Sequence, residues 1–278
     1  MIARPPWTAQ QLETSVAGRL GRAPLALMLD IDGTIAPIAA TPDNAFVPLE
    51  TVHLLAHLAK LPGVHVALVS GRAVTDALRM LDIEHAWVIG NHGLELRTPE
   101  GELTAVPEAR EFERAIAQAA DDLDRLARET RGVLVENKRW TLSLHYRLAD
   151  ERMTPTLIAA VRDLARERGL VATEGKKVLE LRPPGETNKG SAAQALAGRL
   201  GALTKGSVFY AGDDRTDEDA FRALRSSMPD AVTVKVLAQR DDPMTVDTEA
   251  EFTLESTEEL RRLLEWLLAS RTRQPGAR

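Results

Sequence analysis

The sequence predicts an α/β protein: a parallel sheet with helices on both faces, interrupted by an inserted α+β domain. Two observations carry this. Short apolar runs alternate with helical patterns over residues 25–100 and again over 188–270, as strand–helix–strand units do. Between them the pattern becomes helix, strand, strand, repeated twice, which describes helices on one face of an antiparallel sheet.

In order, Leu25–Leu29 reads as a strand, Leu49–Lys60 as a helix and Val64–Val69 as a strand. Ala73–Met80 reads as a helix and Ala86–Gly90 as a strand. The middle region offers one long helix, Glu108–Thr130, then strands Gly132–Glu136 and Thr141–Tyr146. A helix over Thr154–Glu167 and strands over Leu170–Thr173 and Val178–Leu181 complete it. A helix from Lys189, a strand at Val208–Ala211 and a helix near Asp219–Arg225 resume the first pattern. Strands at Ala231–Val236 and Glu251–Leu254 and a helix at Thr257–Ala269 close it. Pro99, Gly101 and Pro107 on one side, and Pro183, Pro184 and Gly185 on the other, punctuate the change. The expected organisation is an N-terminal extension (1–24), a core domain (25–106 and 185–278) and an inserted domain (107–184).

Composition narrows the function. With 44% hydrophobic and 27% charged residues, the 278-residue chain is ordinary globular material. The net charge of −6 and the lack of any Lys/Arg-dominated stretch argue against a nucleic-acid partner. The absence of cysteine excludes disulfides, thiolate catalysis and zinc–thiolate sites. No run approaches the roughly 20 apolar residues of a membrane span, and Met1–Leu20 lacks the apolar core of a signal peptide. The expectation is a cytoplasmic monomer with no membrane partner.

Four separated segments spell out phosphate chemistry: Asp30-Ile31-Asp32-Gly33-Thr34, Ser70-Gly71-Arg72, Asn188-Lys189-Gly190 and Gly212-Asp213-Asp214-Arg215-Thr216-Asp217-Glu218. The first and last follow apolar runs, so they sit at strand carboxyl ends, where open α/β sheets bind ligands. Asp30 is the candidate nucleophile, forming an aspartyl-phosphate. Asp32 is the candidate acid and base, protonating the leaving alkoxide and then taking a proton from water. Gly33 and Thr34 are expected to offer backbone N–H groups to the phosphate. Ser70 can bond a phosphate oxygen or cap the next helix, and Lys189 can neutralise the Asp30–phosphate pair. Magnesium favours oxygen ligands and takes few carboxylates. The expected ligands are Asp213, the Asp30 side chain and the Asp32 carbonyl, with Asp214 and Asp217 orienting bound water or Asp213. Asp217 and Glu218 serve equally well as acids capping a helix. His53 and His57 lack a third zinc ligand and read as surface or core-edge residues.

The same four segments resemble the motifs of haloacid-dehalogenase-like phosphatases, whose core is a Rossmann-like parallel sheet. More specific are Gly90-Asn91-His92-Gly93-Leu94-Glu95, Glu136-Asn137-Lys138, His145-Tyr146-Arg147, and the run from Glu174 to Pro183. With Ala211 to Phe221 they resemble the trehalose-6-phosphate phosphatase family over residues from about 25 to 225. The resemblance implies a Mg2+-dependent phosphatase acting on trehalose 6-phosphate, the last step of trehalose biosynthesis, with the insert as a cap over the sugar. Sucrose 6-phosphate is the alternative substrate. It implies substrate contacts from Arg72, His92, Glu136, Lys138, Arg147, Lys176 and Glu180. Glu136 and Lys138 share a strand face, as Lys176 and Glu180 would in a strand. Carboxylates and ammonium groups suit sugar hydroxyls, although cross-strand ion pairs would use the same residues.

Overall fold

Alternation along the central strands decides which helices cover which face. The computed structural model describes residues 6–39, 44–175, 177–237 and 247–273, and these divide into two compact units: Met1–Leu103 with Thr187–Arg278, and Thr104–Glu186.

In the first unit the strands are β1 (Leu25–Leu29), β2 (Val64–Val69), β3 (Trp87–Gly90) and β4 (Glu95–Arg97), and β5 (Leu103–Ala105) carries the chain across the boundary between the units. The insert supplies β6 to β9, given below, and the first unit resumes with β10 (Ser207–Gly212), β11 (Val232–Val236) and β12 (Phe252–Leu254). The sheet order is β12-β11-β10-β1-β2-β3-β4-β5, parallel from β12 to β3 and antiparallel between β3 and β4. Its helices are α1 (Ala9–Leu20), α2 (Leu49–Ala59), α3 (Val74–Met80), α7 (Lys189–Arg199), α8 (Ala202–Lys205), α9 (Arg215–Ser227) and α10 (Thr257–Arg273).

Leu25, Leu27 and Leu29 of β1 point to the layer formed by α1, α2, α3 and α10, whereas Ala26 and Met28 point to α7 and α9. Every residue of β1 and β10 is buried, as expected of parallel strands covered on both sides. The terminal segment joins this core. Thr8 caps α1 in a capping box with Gln11. Leu12, Val16 and Leu20 lie in the same apolar cluster as Leu260, Leu263, Leu264 and Leu267 of α10. Each such fully buried leucine is worth roughly 1.5–3 kcal/mol. Residues 9–20, within the segment read from sequence as an extension, are therefore part of a helical layer of the first unit.

The second unit has α4 (Pro107–Glu111), α5 (Glu113–Glu129) and α6 (Thr154–Glu167). Its sheet is antiparallel, in the order β6 (Leu134–Asn137), β7 (Leu142–His145), β9 (Val178–Arg182), β8 (Val171–Gly175). The single helix expected over Glu108–Thr130 is broken at Phe112, whose φ of −95° and ψ of 4° leave helical geometry. Leu142, Leu144, Leu179 and Leu181 form one apolar cluster with Ile116, Leu123, Leu157 and Val161 of the helices. The opposite face is polar: Ser143 pairs with Glu136 on one side and Glu180 on the other, and Glu180 pairs with Thr173. Among the described residues no helix is long and apolar enough to cross a membrane.

Candidate active site

Strands β10, β1 and β2 are neighbours and parallel, so Asp213, Asp30 and Ser70 emerge together from their carboxyl ends. The chain's connections run outward on both sides of β1, towards β2 and β3 one way and β10 to β12 the other. A crevice at such a reversal is where open α/β sheets bind ligands.

Asp30 is 4% exposed. Lys189 Nζ donates to Asp30 Oδ1 at 2.7 Å, and Thr34 Oγ1 donates to Asp30 Oδ2 at 3.2 Å. Lys189 starts α7, whose N-cap Asn188 accepts from the Ser191 N–H. Gly190 lets this turn approach α9: a Cβ there would run into the Asp219 carbonyl. Across that contact Lys189 Nζ also donates to Asp217 Oδ1, at 2.9 Å.

Asp217 is fully buried and takes four donors. Oδ1 accepts from Lys189 and from Tyr210 OH at 2.7 Å, and Oδ2 accepts from the Asp213 and Asp214 N–H groups at 3.1 Å each. Carboxylate oxygens of Asp30, Asp213 and Asp217 lie within 4.8 Å of one another.

Electrostatics follow from three close acids and one lysine. Burial works to lower the Lys189 pKa, but Asp217 and Asp30 outweigh it and hold the ammonium firmly charged. Burial pushes the Asp30 carboxyl well above its usual range; Lys189 opposes this, and Asp217, Asp213 and Asp214 reinforce it. Asp213 is pushed up to about 8 by burial and then by Asp214 and Asp217. Desolvation also works to raise Asp214, whose surface is nonetheless exposed. Lys189 and hydrogen bonds from Thr216 and Asp217 outweigh it, leaving Asp214 below the ordinary carboxylate range.

Several placements differ from the sequence reading. Asp214 is the N-cap of α9, its Oδ1 accepting from the Thr216 and Asp217 N–H groups at 2.8 and 3.3 Å. Asp217, one helical turn on, takes its place in the acid cluster. Glu218 is drawn away to Lys235 at 2.9 Å and to the Glu249 N–H at 2.7 Å. The Gly33 N–H donates to the Ala36 carbonyl at 2.8 Å and the Thr34 N–H to Ile31 at 3.3 Å, so the loop uses both internally. Gly33 instead supplies space, since a Cβ there would collide with the Asp213 carboxylate. Ser70 is buried and does not cap α3, whose N-cap is Ala73; Ser70 Oγ accepts from the Arg72 N–H at 3.1 Å.

Arg72 binds Asp32 at two points, Nε to Oδ2 at 2.6 Å and Nη2 to Oδ1 at 2.7 Å. His92 sits in a left-handed turn (φ 54°) with its ring against Gly71. The turn braces the Ser70–Arg72 loop, because the His92 N–H donates to the Ser70 carbonyl at 3.0 Å and the Asn91 N–H to Arg72 at 2.8 Å. Glu95, which the sequence reading placed in a motif without a role, ties this turn to α3: Oε1 accepts from the Val74 N–H at 2.7 Å and from Asn91 Nδ2 at 2.8 Å, a part sequence reasoning did not assign. Sequence reasoning also missed Tyr210, whose buried hydroxyl lies in the middle of β10.

In the second unit Glu136 and Glu180 lie on the polar sheet face, and Glu136 Oε2 is 3.0 Å from His145 Nε2. Lys138 follows β6 directly, and Arg147 is exposed in the turn after β7. Lys176 lies outside the described residues, and Glu180 is on β9.

The family model described as Trehalose-phosphatase matches residues 28–258. Over 271 residues the chain is 33% identical to Probable trehalose-phosphate phosphatase 3 of Oryza sativa subsp. japonica, covering 91% of this chain and 72% of that protein. It is 39% identical over 210 residues to a Mycobacterium tuberculosis protein named Uncharacterized glycosyl hydrolase, a match spanning 74% of this chain but 16% of that protein's length. The solved structure of a trehalose-6-phosphate phosphatase related protein aligns with TM-score 0.76 and 27% identity, covering 88% of this chain and 97% of that one. The matched residues contain the Asp30, Ser70, Lys189 and Asp213 segments and both sheets but for residues 25–27 of β1, and the chain belongs to the trehalose-phosphatase family.

Proposed function

We propose that the chain is a Mg2+-dependent phosphatase that hydrolyses trehalose 6-phosphate to trehalose and inorganic phosphate through an aspartyl-phosphate on Asp30. The observation that carries the reading is the buried Asp30–Lys189 contact at the carboxyl edge of β1. A buried carboxylate held by an ammonium, with a second oxygen on the Thr34 hydroxyl, is an oriented nucleophile.

Divalent magnesium fits the donor set. Three carboxylates crowd one lysine, all donors are hard oxygens, and Gly33 leaves room for the Asp213 carboxylate. Asp30 and Asp213 would hold the ion, with Asp217 beside them. When bound, it supplies positive charge that keeps these acids ionised and offsets the phosphate's repulsion of Asp30.

The chain's own residues then divide the work. An Asp30 oxygen attacks phosphorus as the ester P–O bond breaks, and the departing sugar alkoxide takes a proton from Asp32. The Asp32 carboxylate next takes a proton from water as that water attacks the phosphorus. The Asp30–phosphorus bond breaks, and phosphate and free Asp30 are regenerated. Lys189 offsets the charge on the phosphoryl oxygens, and Ser70 and Arg72 orient the ester side of the site. In the insert, Glu136, Lys138 and Glu180 present acceptors and a donor suited to a polyhydroxyl disaccharide. Sucrose 6-phosphate has the weaker support, because the family model and relatives above 30% identity are named for trehalose phosphate, whereas a sucrose-phosphatase structure is similar at 18% identity.

The test is phosphate release from trehalose 6-phosphate, sucrose 6-phosphate and p-nitrophenyl phosphate, with and without chelator. Trehalose 6-phosphate should be preferred and Mg2+ required. Asp30→Asn should abolish turnover of all three. Glu180→Ala should lower kcat/KM for the disaccharide phosphate while sparing the aryl ester, because energy from binding the non-reacting sugar positions the ester. Turnover by Asp30→Asn in a clean preparation, or equal rates on both disaccharide phosphates, would overturn the reading.

A further inference from the structure

Tyr210 lies on β10 with Val208 on the face covered by α7 and α9, and it is fully buried. Its ring meets Phe221 of α9 edge-on, with centroids 5.7 Å apart. For packing alone a phenylalanine would serve, as Phe209 does on the other face. A buried hydroxyl costs free energy unless it finds an acceptor, and the Tyr210 hydroxyl donates to Asp217 Oδ1 at 2.7 Å.

That oxygen is the one Lys189 uses. Of the four donors on Asp217, two are N–H groups of the Asp213–Asp214 loop, one is the ammonium that reaches Asp30, and the fourth is Tyr210. The carboxylate torsion of an aspartate is broad, so the donors on each oxygen decide which way it faces. We propose that Tyr210 is a positioning residue of the phosphoryl-transfer site, fixing Asp217 so that Lys189 stays on Asp30 and the Asp213 loop stays in place. Tyr210 does this without touching substrate, and its action on turnover rests on the phosphatase reading above.

Tyr210→Phe removes one oxygen and keeps the ring. Hydrogen bonds to charged groups are worth roughly one to two orders of magnitude. The variant should therefore lose about tenfold in kcat on trehalose 6-phosphate and on p-nitrophenyl phosphate alike, with KM for the sugar phosphate little changed. Titration calorimetry of the metal-free protein should show weaker Mg2+ binding in the variant. Because the chain has two tyrosines, fluorotyrosine labelling of a Tyr146→Phe background leaves one 19F resonance, from Tyr210. That resonance should move on Mg2+ addition, a readout independent of turnover and of the Tyr210→Phe protein's folding. Wild-type kcat and Mg2+ affinity in Tyr210→Phe, with or without a lower Tm, would overturn the proposal. So would a loss confined to the disaccharide, or a 19F resonance unmoved at saturating Mg2+. Failure of the wild-type protein to hydrolyse any phosphate ester would strike the phosphatase reading, and the Mg2+ measurements would still decide whether Tyr210 positions the acid cluster.

Discussion

Arg72 grips both carboxylate oxygens of Asp32, with Nε 2.6 Å from one and Nη2 2.7 Å from the other. A two-point guanidinium contact fixes direction as well as charge. The sequence reading gave Arg72 to the substrate; the geometry gives it a hold on the proposed acid and base. Arg72→Ala should slow turnover of a sugar phosphate, whose alkoxide leaving group needs a proton, by about 10–100-fold. Hydrolysis of p-nitrophenyl phosphate, which needs little protonation, should fall far less. Arg72→Lys should not restore the rate, because an ammonium cannot make the paired contact. Steady-state rates on the two esters decide the matter: equal losses would assign Arg72 to the phosphate.

Gly33 combines a φ of +80° with an absent Cβ where the Asp213 carboxylate sits. Gly33→Ala meets both obstacles. Backbone strain alone costs about 1–3 kcal/mol, and the methyl must also displace Asp213. The variant should melt lower than wild type and need more Mg2+ for half-maximal activity. A normal Mg2+ titration in that protein would show that the Asp213 carboxylate can move aside without consequence.

Acid titration gives a third expectation. In the metal-free protein the Asp213 carboxyl is pushed up to about 8, by burial first and then by Asp214 and Asp217. In the unfolded chain it titrates near the ordinary value of roughly 3.9. Between those values the folded state holds a proton that the unfolded state has released, so this group's contribution to stability falls as pH rises. The raised Asp30 acts in the same direction. Melting temperature in chelator should therefore decline through this window, and saturating Mg2+ should flatten the decline. Mg2+ should also bind more tightly as pH approaches about 8, releasing protons. A metal-free melting temperature that climbs over the same range contradicts this account of the acid cluster.

Much of the protein follows from local pattern. Apolar runs ending in acids placed β1 and β10, and the shift from single strands with helices to helix–strand–strand marked the insert. Backbone period and residue chemistry are properties of neighbouring residues, so Asp30, Ser70, Lys189 and Asp213 could be picked out and their convergence at one sheet edge expected. The strands β4 and β5 escaped because each is three residues of mixed polarity, Glu95–Arg97 and Leu103–Ala105, with no apolar run to mark it. The role of α1 escaped because the elements it packs on, α10, β10 and β11, lie at the other end of the chain. Lys189 and Asp30, set together by their chemistry in the sequence, are separated by 159 positions and meet at 2.7 Å. Tertiary structure alone added Asp217 and Tyr210 to that contact. Asp214 and Asp217, given one role from sequence, part in the fold: Asp217 meets Lys189 in the acid cluster, whereas Asp214 Oδ1 is taken up by N–H donors of its own helix turn. The N–H groups of Gly33 and Thr34 turned inward for the same reason, with carbonyls of their own loop within reach. A sequence states which groups are available; which hydrogen bond each makes depends on competing groups that only the folded chain brings near.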